Sequence, residues 1–468
     1  MLISELEDLE DILDTLVFED EPSIFTDKFA VELVETALHL MDEYVSSNTH
    51  IISEPDFLDI LLEEIKDIFY IQMEDHIETL YNGDDIEDDM NELLEDAFNI
   101  FISTFYPDKA QDIHILKCVE YNSEEINLIE TKIQGLREIP QPEQRTPEWY
   151  QFRWNLITAS NAWKALESQS AINQLIYEKC QPLKSTNENE EEELVKMVNV
   201  NTPLHWGQKY EPLSVLLYER NYSTKVEDFG CIKHSKYSFL GASPDGINVD
   251  IKSERYGRML EIKNVVSREI NGIPKKEYWT QMQLQMEVCD LDECDFLETK
   301  FIEYPDRQSF YNDSTADVNG VKNVTLSIDN KDKGIILYFH TKEGKPFYIY
   351  KPLSITTSEC ITYWEETELE KYESAPYNYI FLKFIYWKLE VLSCVLVLRN
   401  REWFKNNIGQ LEKVWKIIEE ERVSGYEHRA PKKNLKKESF KPYVSSKNEN
   451  HGCLLKFNKI IKVDTKDI

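Results

Sequence analysis

Apolar residues recur at helical spacing through the first part of the chain: Leu6, Leu9, Ile12, Leu13 and Leu16, then Phe57, Ile60, Leu61, Ile65, Ile68 and Phe69. The intervening faces are Asp and Glu, and "EPS" (21–23) and "YNGDD" (81–85) punctuate the pattern. This predicts an acidic all-α domain over residues 1–135. "REIPQPEQRTPEW" (137–149) carries three prolines and reads as a linker into a new domain.

Beyond the linker the period changes. A helical segment follows "RTPEWY", an acid-rich solvated loop "STNENEEEE" covers 185–193, and a second helix begins near Leu204. Short β-type runs then appear around "FGCIKH", "SFLGASPDG", "MLEIKNVV" and "CDFLETKFIEY", with a helix-like "YWTQMQLQMEVC" between the last two. Strand, strand, helix, strand predicts an α/β unit with a mixed central sheet flanked by helices, over 136–425. "GIILYFHTKEGKPFYIYKPL" (334–353) predicts a hairpin around Glu343-Gly344, and 400–422 a closing helix. The last segment, 426–468, includes a stretch with seven Lys/Arg and one acid (428–448), which predicts a flexible basic arm.

Composition narrows the class. A chain of 468 residues is long enough for two or three domains, and 41% hydrophobic residues describe a globular protein. Eight scattered cysteines without a CxxC pair fit reduced intracellular thiols, not a disulfide framework or a zinc site. The N-terminus is studded with acids, unlike a signal peptide. The most apolar run, "YIFLKFIYWKLEVLSCVLVL", is interrupted by Lys383, Lys388 and Glu390, which argues against a membrane span. The expectation is a soluble intracellular protein, in the cytoplasm or nucleus of a host cell if viral, with no membrane partner.

A net charge of −35 would discourage a nucleic-acid partner if it were evenly spread. It is not: residues 1–100 hold 31 acids against Lys28 and Lys66, whereas the remaining 368 residues carry 56 acids against 50 bases.

The candidate chemistry lies in "LGASPDGINVDIKSERYGRMLEIKN" (240–264). In an extended strand Glu261 and Lys263 project to one side and Leu260 and Ile262 to the other. Asp245, in a Pro-Asp-Gly corner, comes beside them if the two strands pair around the polar excursion 247–258. Two converging carboxylates suit a hard divalent cation, and an adjacent lysine offsets charge on a phosphate or helps activate water. A lone E-x-K is by default a solvent-exposed strand pair, but the corner and the apolar embedding favour a site here. His205 and His234 stand alone, with nothing to suggest ligands, and Trp149, Trp154, Trp163 and Trp206 read as core rather than base-stacking residues.

"SPDG", "LEIK" and "YWTQMQLQMEV", with "RTPEWYQFRWNLITASNAWKAL" (145–166) and "HWGQKYEP" (205–212) upstream, resemble the PD-(D/E)XK nuclease core of the YqaJ-like viral recombinase, lambda-exonuclease-type group. The resemblance covers roughly 140–425. It implies Asp245, Glu261 and the Ile262 carbonyl as metal ligands, with Glu211 completing the metal site directly or through water. It implies Lys263 as the catalytic lysine and Gln281 beside the scissile phosphate. Arg153 and Ser160 occupy the positions that bind a terminal 5′-phosphate, as a guanidinium fork and a hydroxyl at a helix start can. The cofactor implied is Mg²⁺, with Mn²⁺ as alternative, two ions per active site. The function implied is a 5′-to-3′ exonuclease on double-stranded DNA ends, serving recombination, replication or repair. Its partners would include a single-strand annealing protein, and relatives form trimeric rings. The alternatives are a structure-specific or nicking endonuclease on the same core, and an inactive regulatory protein whose acidic domain binds a basic partner. Asn155 stands where the family commonly has glycine. The Asp245–Glu261 gap is longer than in compact members, and its basic tip, Lys252, Arg255 and Arg258, is expected to touch the DNA backbone, the alternative being that it is merely solvated.

Overall fold

The computed structural model describes residues 25–48, 51, 54–80, 86–102, 123–142, 146–183, 199, 200, 202–316 and 322–431. The expected first helix near residues 6–16, the acidic loop at 185–193 and the basic arm beyond 431 lie outside them.

Among the described residues the first elements are the helices α1 (Asp27–Ser47), α2 (Phe57–Leu80) and α3 (Ile86–Ile100). Leu33, Ala37 and Met41, then Phe57, Leu61, Ile65 and Phe69, then Met90, Leu94 and Ala97 fall three or four residues apart and share one buried cluster. Ile273, far along the chain, packs against it.

The domain boundary expected between residues 135 and 136 falls inside α4 (Ser123–Glu138). Ile133 and Leu136 are buried in the core of the following unit, with Ile126 and Ile129 packed beside them. The polar pattern of this helix resembles the preceding ones, but its apolar face belongs to the α/β unit.

That unit continues with α5 (Pro147–Trp154), β1 (Ile157–Thr158), α6 (Ala159–Ala162), α7 (Gln169–Cys180), α8 (Pro203–Tyr222), β2 (Val226–Glu227), β3 (Ile232–Lys233), β4 (Leu240–Ala242), β5 (Gly246–Asn248), β6 (Met259–Asn264), α9 (Lys276–Cys289) and β7 (Glu293–Glu303). After them come α10 (Arg307–Asn312), β8 (Thr315–Ala316), β9 (Lys322–Asn323), β10 (Lys333–His340), β11 (Pro346–Tyr350), α11 (Ser358–Glu373), β12 (Ile380–Leu398) and α12 (Arg401–Ser424). Seven strands form one mixed sheet in the order β11-β10-β12-β7-β6-β5-β2. Within it only β6 and β7 run parallel, as the crossover helix α9 between them requires. β1, β4 and β3 make a smaller sheet. The fold class is the expected one, a mixed α/β sheet with helices on it after an N-terminal helical region.

The apolar run at 380–398 is a central strand, β12, antiparallel to both β7 and β10. Among the described residues no helix is long and apolar enough to cross a membrane.

The excursion between β5 and β6 corrects one expectation. Arg255 and Arg258 are buried, not presented to solvent. Arg255 pairs closely with Asp295; Arg258 donates from Nη1 to Asp295 at 3.1 Å and from Nε to Glu293 at 2.9 Å. Tyr218 donates a further bond to Asp295 at 2.5 Å. Buried charge is tolerated only when paired and hydrogen-bonded, and Asp295 supplies that pairing from another strand. Tyr256 sits in the main core, and Gly257, at φ +79°, passes so close to α4 that a Cβ there would lie 2.3 Å from Ile129 Cγ2. Of the three basic residues at the tip, only Lys252 is exposed.

Candidate active site

Asp245 occupies the corner between β4 and β5. Antiparallel pairing of Gly246 with Leu260 and Ile247 with Met259 carries that corner to the middle of β6. The Asp245 amide donates to Leu260 O at 3.1 Å, and its Oδ2 accepts the Ile262 amide at 2.7 Å. Strand alternation does the rest. Leu260 and Ile262 pack with Tyr218, Leu297 and Cys394, while Glu261 and Lys263 meet on the opposite side in a close ion pair.

Glu261 is 1% exposed and receives three side chains. Besides Lys263, Gln281 Nε2 donates to its Oε1 at 2.7 Å and Gln285 Nε2 to its Oε2 at 2.6 Å. The two glutamines lie one turn apart on α9 and therefore share a face. Burial, then the nearby Glu261 charge, pushes the Asp245 carboxyl well above the ordinary carboxylate range. Burial works against the Lys263 ammonium, but Glu261 and Asp245 outweigh it and hold the lysine above its usual value. The center thus concentrates negative charge in a dry place and keeps one cation against it.

A cavity of about 690 Å³ opens on this center, lined by Asp245, Glu261, Ile262, Lys263, Gln281 and Glu211 and also by Arg153 and Ser160. All eight residues singled out from the sequence therefore border one space. Glu211 comes from α8, whose buried face, Tyr210, Leu213 and Leu217, packs on the sheet and leaves Glu211 exposed. Arg153, near the end of α5, lies with its Cζ 4.5 Å from the Trp149 ring and donates to Ser243 Oγ at 3.3 Å. Ser160 is exposed, with its Oγ 3.3 Å from Thr158 Oγ1. Behind Arg153, Lys179 donates to its carbonyl oxygen at 2.9 Å; burial, then Arg153 and Arg422, lowers this lysine to about 8.

The oxygen donors available to a metal are the Asp245 and Glu261 carboxylates and the Ile262 carbonyl. Their chemistry fits a hard cation, which takes oxygen ligands and retains waters. Among the described residues, no three His, Cys, Asp or Glu are gathered closely enough to hold an ion by themselves. Glu211 lines the same cavity as Asp245 and Glu261, and its charge adds to those that push the Asp245 carboxyl up.

Three contributors are not evident from the sequence alone. Gln285 is buried and bonds both Glu261 and, at 3.2 Å, Ser243 O. Ser243 links that amide to Arg153, and Trp149 lines the cavity instead of filling the core. The i, i+4 spacing from Gln281 is the signal that points to Gln285.

Comparison with known proteins gives three findings. The family model of the YqaJ-like viral recombinase domain matches residues 148–292. An uncharacterized protein of Acanthamoeba polyphaga mimivirus is 30% identical over 315 residues, covering 62% of this chain and 54% of that protein, so the chain spans about half the length of this relative. Among solved structures, an alkaline exonuclease from Laribacter hongkongensis aligns at 19% identity and a TM-score of 0.31, covering 60% of this chain and 95% of that one. A phage-related exonuclease from Haemophilus somnus aligns at 12% identity and a TM-score of 0.29, covering 57% and 94%. The segment that this family model matches contains Arg153, Ser160, Glu211, Asp245, Glu261, Lys263 and Gln281, so the chain is similar to the YqaJ-like viral recombinase domain over the residues that build the site.

Proposed function

We propose that this chain is a metal-dependent deoxyribonuclease that resects duplex DNA from 5′-phosphorylated ends, working 5′ to 3′. One observation carries the reading: the cavity that holds the Asp245, Glu261 and Lys263 cluster has Arg153 and Ser160 on its wall. A reaction center and an anion-binding wall in one space suit a terminal nucleotide gripped by its phosphate. The YqaJ-like domain that contains all of these residues supports the same reading.

Asp245, Glu261 and the Ile262 carbonyl oxygen would hold Mg²⁺ or Mn²⁺, with Glu211 completing the site directly or through water. Bound there, the ion supplies Lewis-acid polarisation of the scissile phosphate and a more acidic water. Lys263 stays protonated and turns from Glu261 to a phosphate oxygen, where its charge offsets the charge that develops during attack. Gln281, held by its amide nitrogen on Glu261, offers its carbonyl oxygen to orient the attacking water. Arg153, steadied on Trp149, gives the terminal phosphate a planar pair of donors and Ser160 adds a hydroxyl.

The test is digestion of linear duplex DNA labelled at either end, with and without Mg²⁺, using the wild type beside Lys263→Ala. The expected result is metal-dependent release of 5′-terminal nucleotides that the variant loses. Cleavage that begins internally would favour the endonuclease alternative, and no metal-dependent cleavage would defeat the enzyme reading.

A further inference from the structure

A buried charge is ordinarily met by an opposite one, and one corner of this fold departs from that rule. Lys179, on α7, is 8% exposed, and its ammonium donates to Arg153 O at 2.9 Å. Arg422, in the last turn of α12, lies with its Cζ 3.5 Å from the Trp154 ring. Its Nη2 donates to Trp154 O at 2.6 Å and to Lys179 O at 2.9 Å. Three cations, Arg153, Lys179 and Arg422, are thus joined through carbonyl oxygens at the ends of α5 and α7. Among the described residues none of the three pairs with a carboxylate, in a chain that carries 87 Asp and Glu against 52 Lys and Arg.

Capping the helix ends accounts for the hydrogen bonds but not for the charges. Cations favour a helix C-terminus, yet a neutral donor at position 179 would make the same bond without desolvating an ammonium beside two guanidinium groups. That cost is evident, since burial, then Arg153 and Arg422, lowers the lysine to about 8. The charge is also kept in a particular place. Arg153 and Ser243 line the active-site cavity and are hydrogen-bonded to one another. The buried Cys231 thiol is acted on by Ser243, Arg153 and Lys179 together, so the ammonium and this stretch of cavity wall share a neighbour. The unpaired lysine therefore stands behind the wall, where its field adds to that of Arg153 on an anion in the cavity.

We propose that Lys179 is a specificity-determining residue that acts from behind Arg153: its buried charge, held in place by Arg422, makes the cavity select a doubly charged terminal phosphate of DNA. This rests on reading the cavity as a site for a 5′-phosphorylated end. The terminal phosphate is the counter-charge that the three cations lack; bound at Arg153, it answers the two behind without touching them. A terminal phosphate carries nearly two negative charges at neutral pH, whereas a 5′-hydroxyl carries none and an internal phosphodiester one. The cationic column thus favours a phosphorylated end over both. Arg422 comes from α12, beyond the segment that the family model matches.

The test measures binding of the full chain, in EDTA to prevent hydrolysis, to matched duplexes that end in 5′-phosphate or 5′-hydroxyl, by fluorescence anisotropy of a 3′ label. The wild type should prefer the phosphorylated end. Lys179→Met and Lys179→Gln should each lower that preference roughly 10-fold, the scale of one charge acting through protein on a dianion, with affinity for the hydroxyl duplex unchanged. Glutamine keeps a hydrogen-bond donor, so loss in both variants assigns the effect to charge; loss in Lys179→Met alone assigns it to the bond and overturns the inference. Urea unfolding adds a readout that a structural brace would not give: Lys179→Met should be more stable than wild type at neutral pH while discriminating less. If it does not fold, Arg422→Gln, at a half-buried position, should lower the preference in its place. Wild-type preference in the folded variants overturns the role of Lys179, and a wild type that binds both ends equally overturns the phosphate wall with it. Duplex digestion with Mg²⁺, run in parallel, separates the readings: digestion with unchanged preference sinks only the role of Lys179, and a lowered preference without digestion sinks only the nuclease.

Discussion

Gln285 Nε2 lies 2.6 Å from Glu261 Oε2 and donates to it from one turn below Gln281 on the same helix. The same amide nitrogen reaches Ser243 O at 3.2 Å, and Ser243 Oγ accepts from Arg153. A single buried amide therefore ties the carboxylate of the proposed reaction center to the strand end that braces Arg153.

Replacing Gln285 with leucine removes that tie while preserving volume closely. Partners that orient a metal-binding carboxylate typically matter by about 10- to 100-fold. The expected outcome is a nuclease rate lowered by that factor at limiting Mg²⁺, with partial recovery at excess. A rate and metal dependence equal to wild type would remove Gln285 from the center.

Lys263→Ala takes away the cation that pairs closely with Glu261. The nuclease rate should fall by about 10²-fold or more, as for the loss of a positioned charge or acid in other active sites. Lys263→Arg should recover little, because a guanidinium does not occupy the space of an ammonium. Single-turnover digestion checks both.

Arg153→Ala should erase preference for 5′-phosphate over 5′-hydroxyl ends. Hydrogen bonds to charged groups contribute about 1.5–3 kcal/mol, so the discrimination lost is roughly 10- to 100-fold. Arg153→Lys should restore only part of it, since the planar fork is gone. Digestion of matched duplexes that differ only at the 5′ end reads this directly.

Arg255→Met leaves Asp295 buried with one of its cations missing. Breaking a buried ion pair from one side costs about 3–5 kcal/mol, and the remaining Arg258 and Tyr218 contacts place the expected loss at the lower end. Urea unfolding should show it, while affinity for DNA stays at the wild-type value. Weaker DNA binding at unchanged stability would restore the view of this segment as a DNA-contacting tip.

Lys179 sets a pH dependence of stability. Its folded value is about 8, below the ordinary 10.5. Between those limits the unfolded chain keeps a proton that the folded chain has released, so stability rises with pH across the window. Below about pH 8 both states are protonated and the penalty of burying the charge is present in full. The gain across the window is on the order of 3 kcal/mol. Lys179→Met should be the more stable protein at pH 7, and its advantage should shrink toward pH 10.5 in thermal melts.

The local pattern was enough for the elements around the center. The Pro-Asp-Gly corner, the alternation that separates Glu261 and Lys263 from Leu260 and Ile262, and the helix bearing Gln281 all depend on residues a few positions apart. So does the helical spacing from Phe57 to Phe69, which places those side chains in one cluster.

Other features depended on partners that local spacing cannot name. Arg255 and Arg258 look like a solvated basic tip until Asp295, on the strand beyond α9, is brought beneath them by the parallel pairing of β6 with β7. Helix Ser123–Glu138 reads as one more acidic helix until Ile133 and Leu136 find the core of the next unit. Trp206 packs against a core cluster as expected, but its partners there, Tyr338 and Trp387, come from strands far along the chain that local spacing cannot name. The sequence by itself determined which side chains share a face of a helix or strand, because backbone geometry repeats every few residues. Only the tertiary structure decided which charges are buried and which faces meet, because those outcomes depend on desolvation and pairing between segments far apart in the chain.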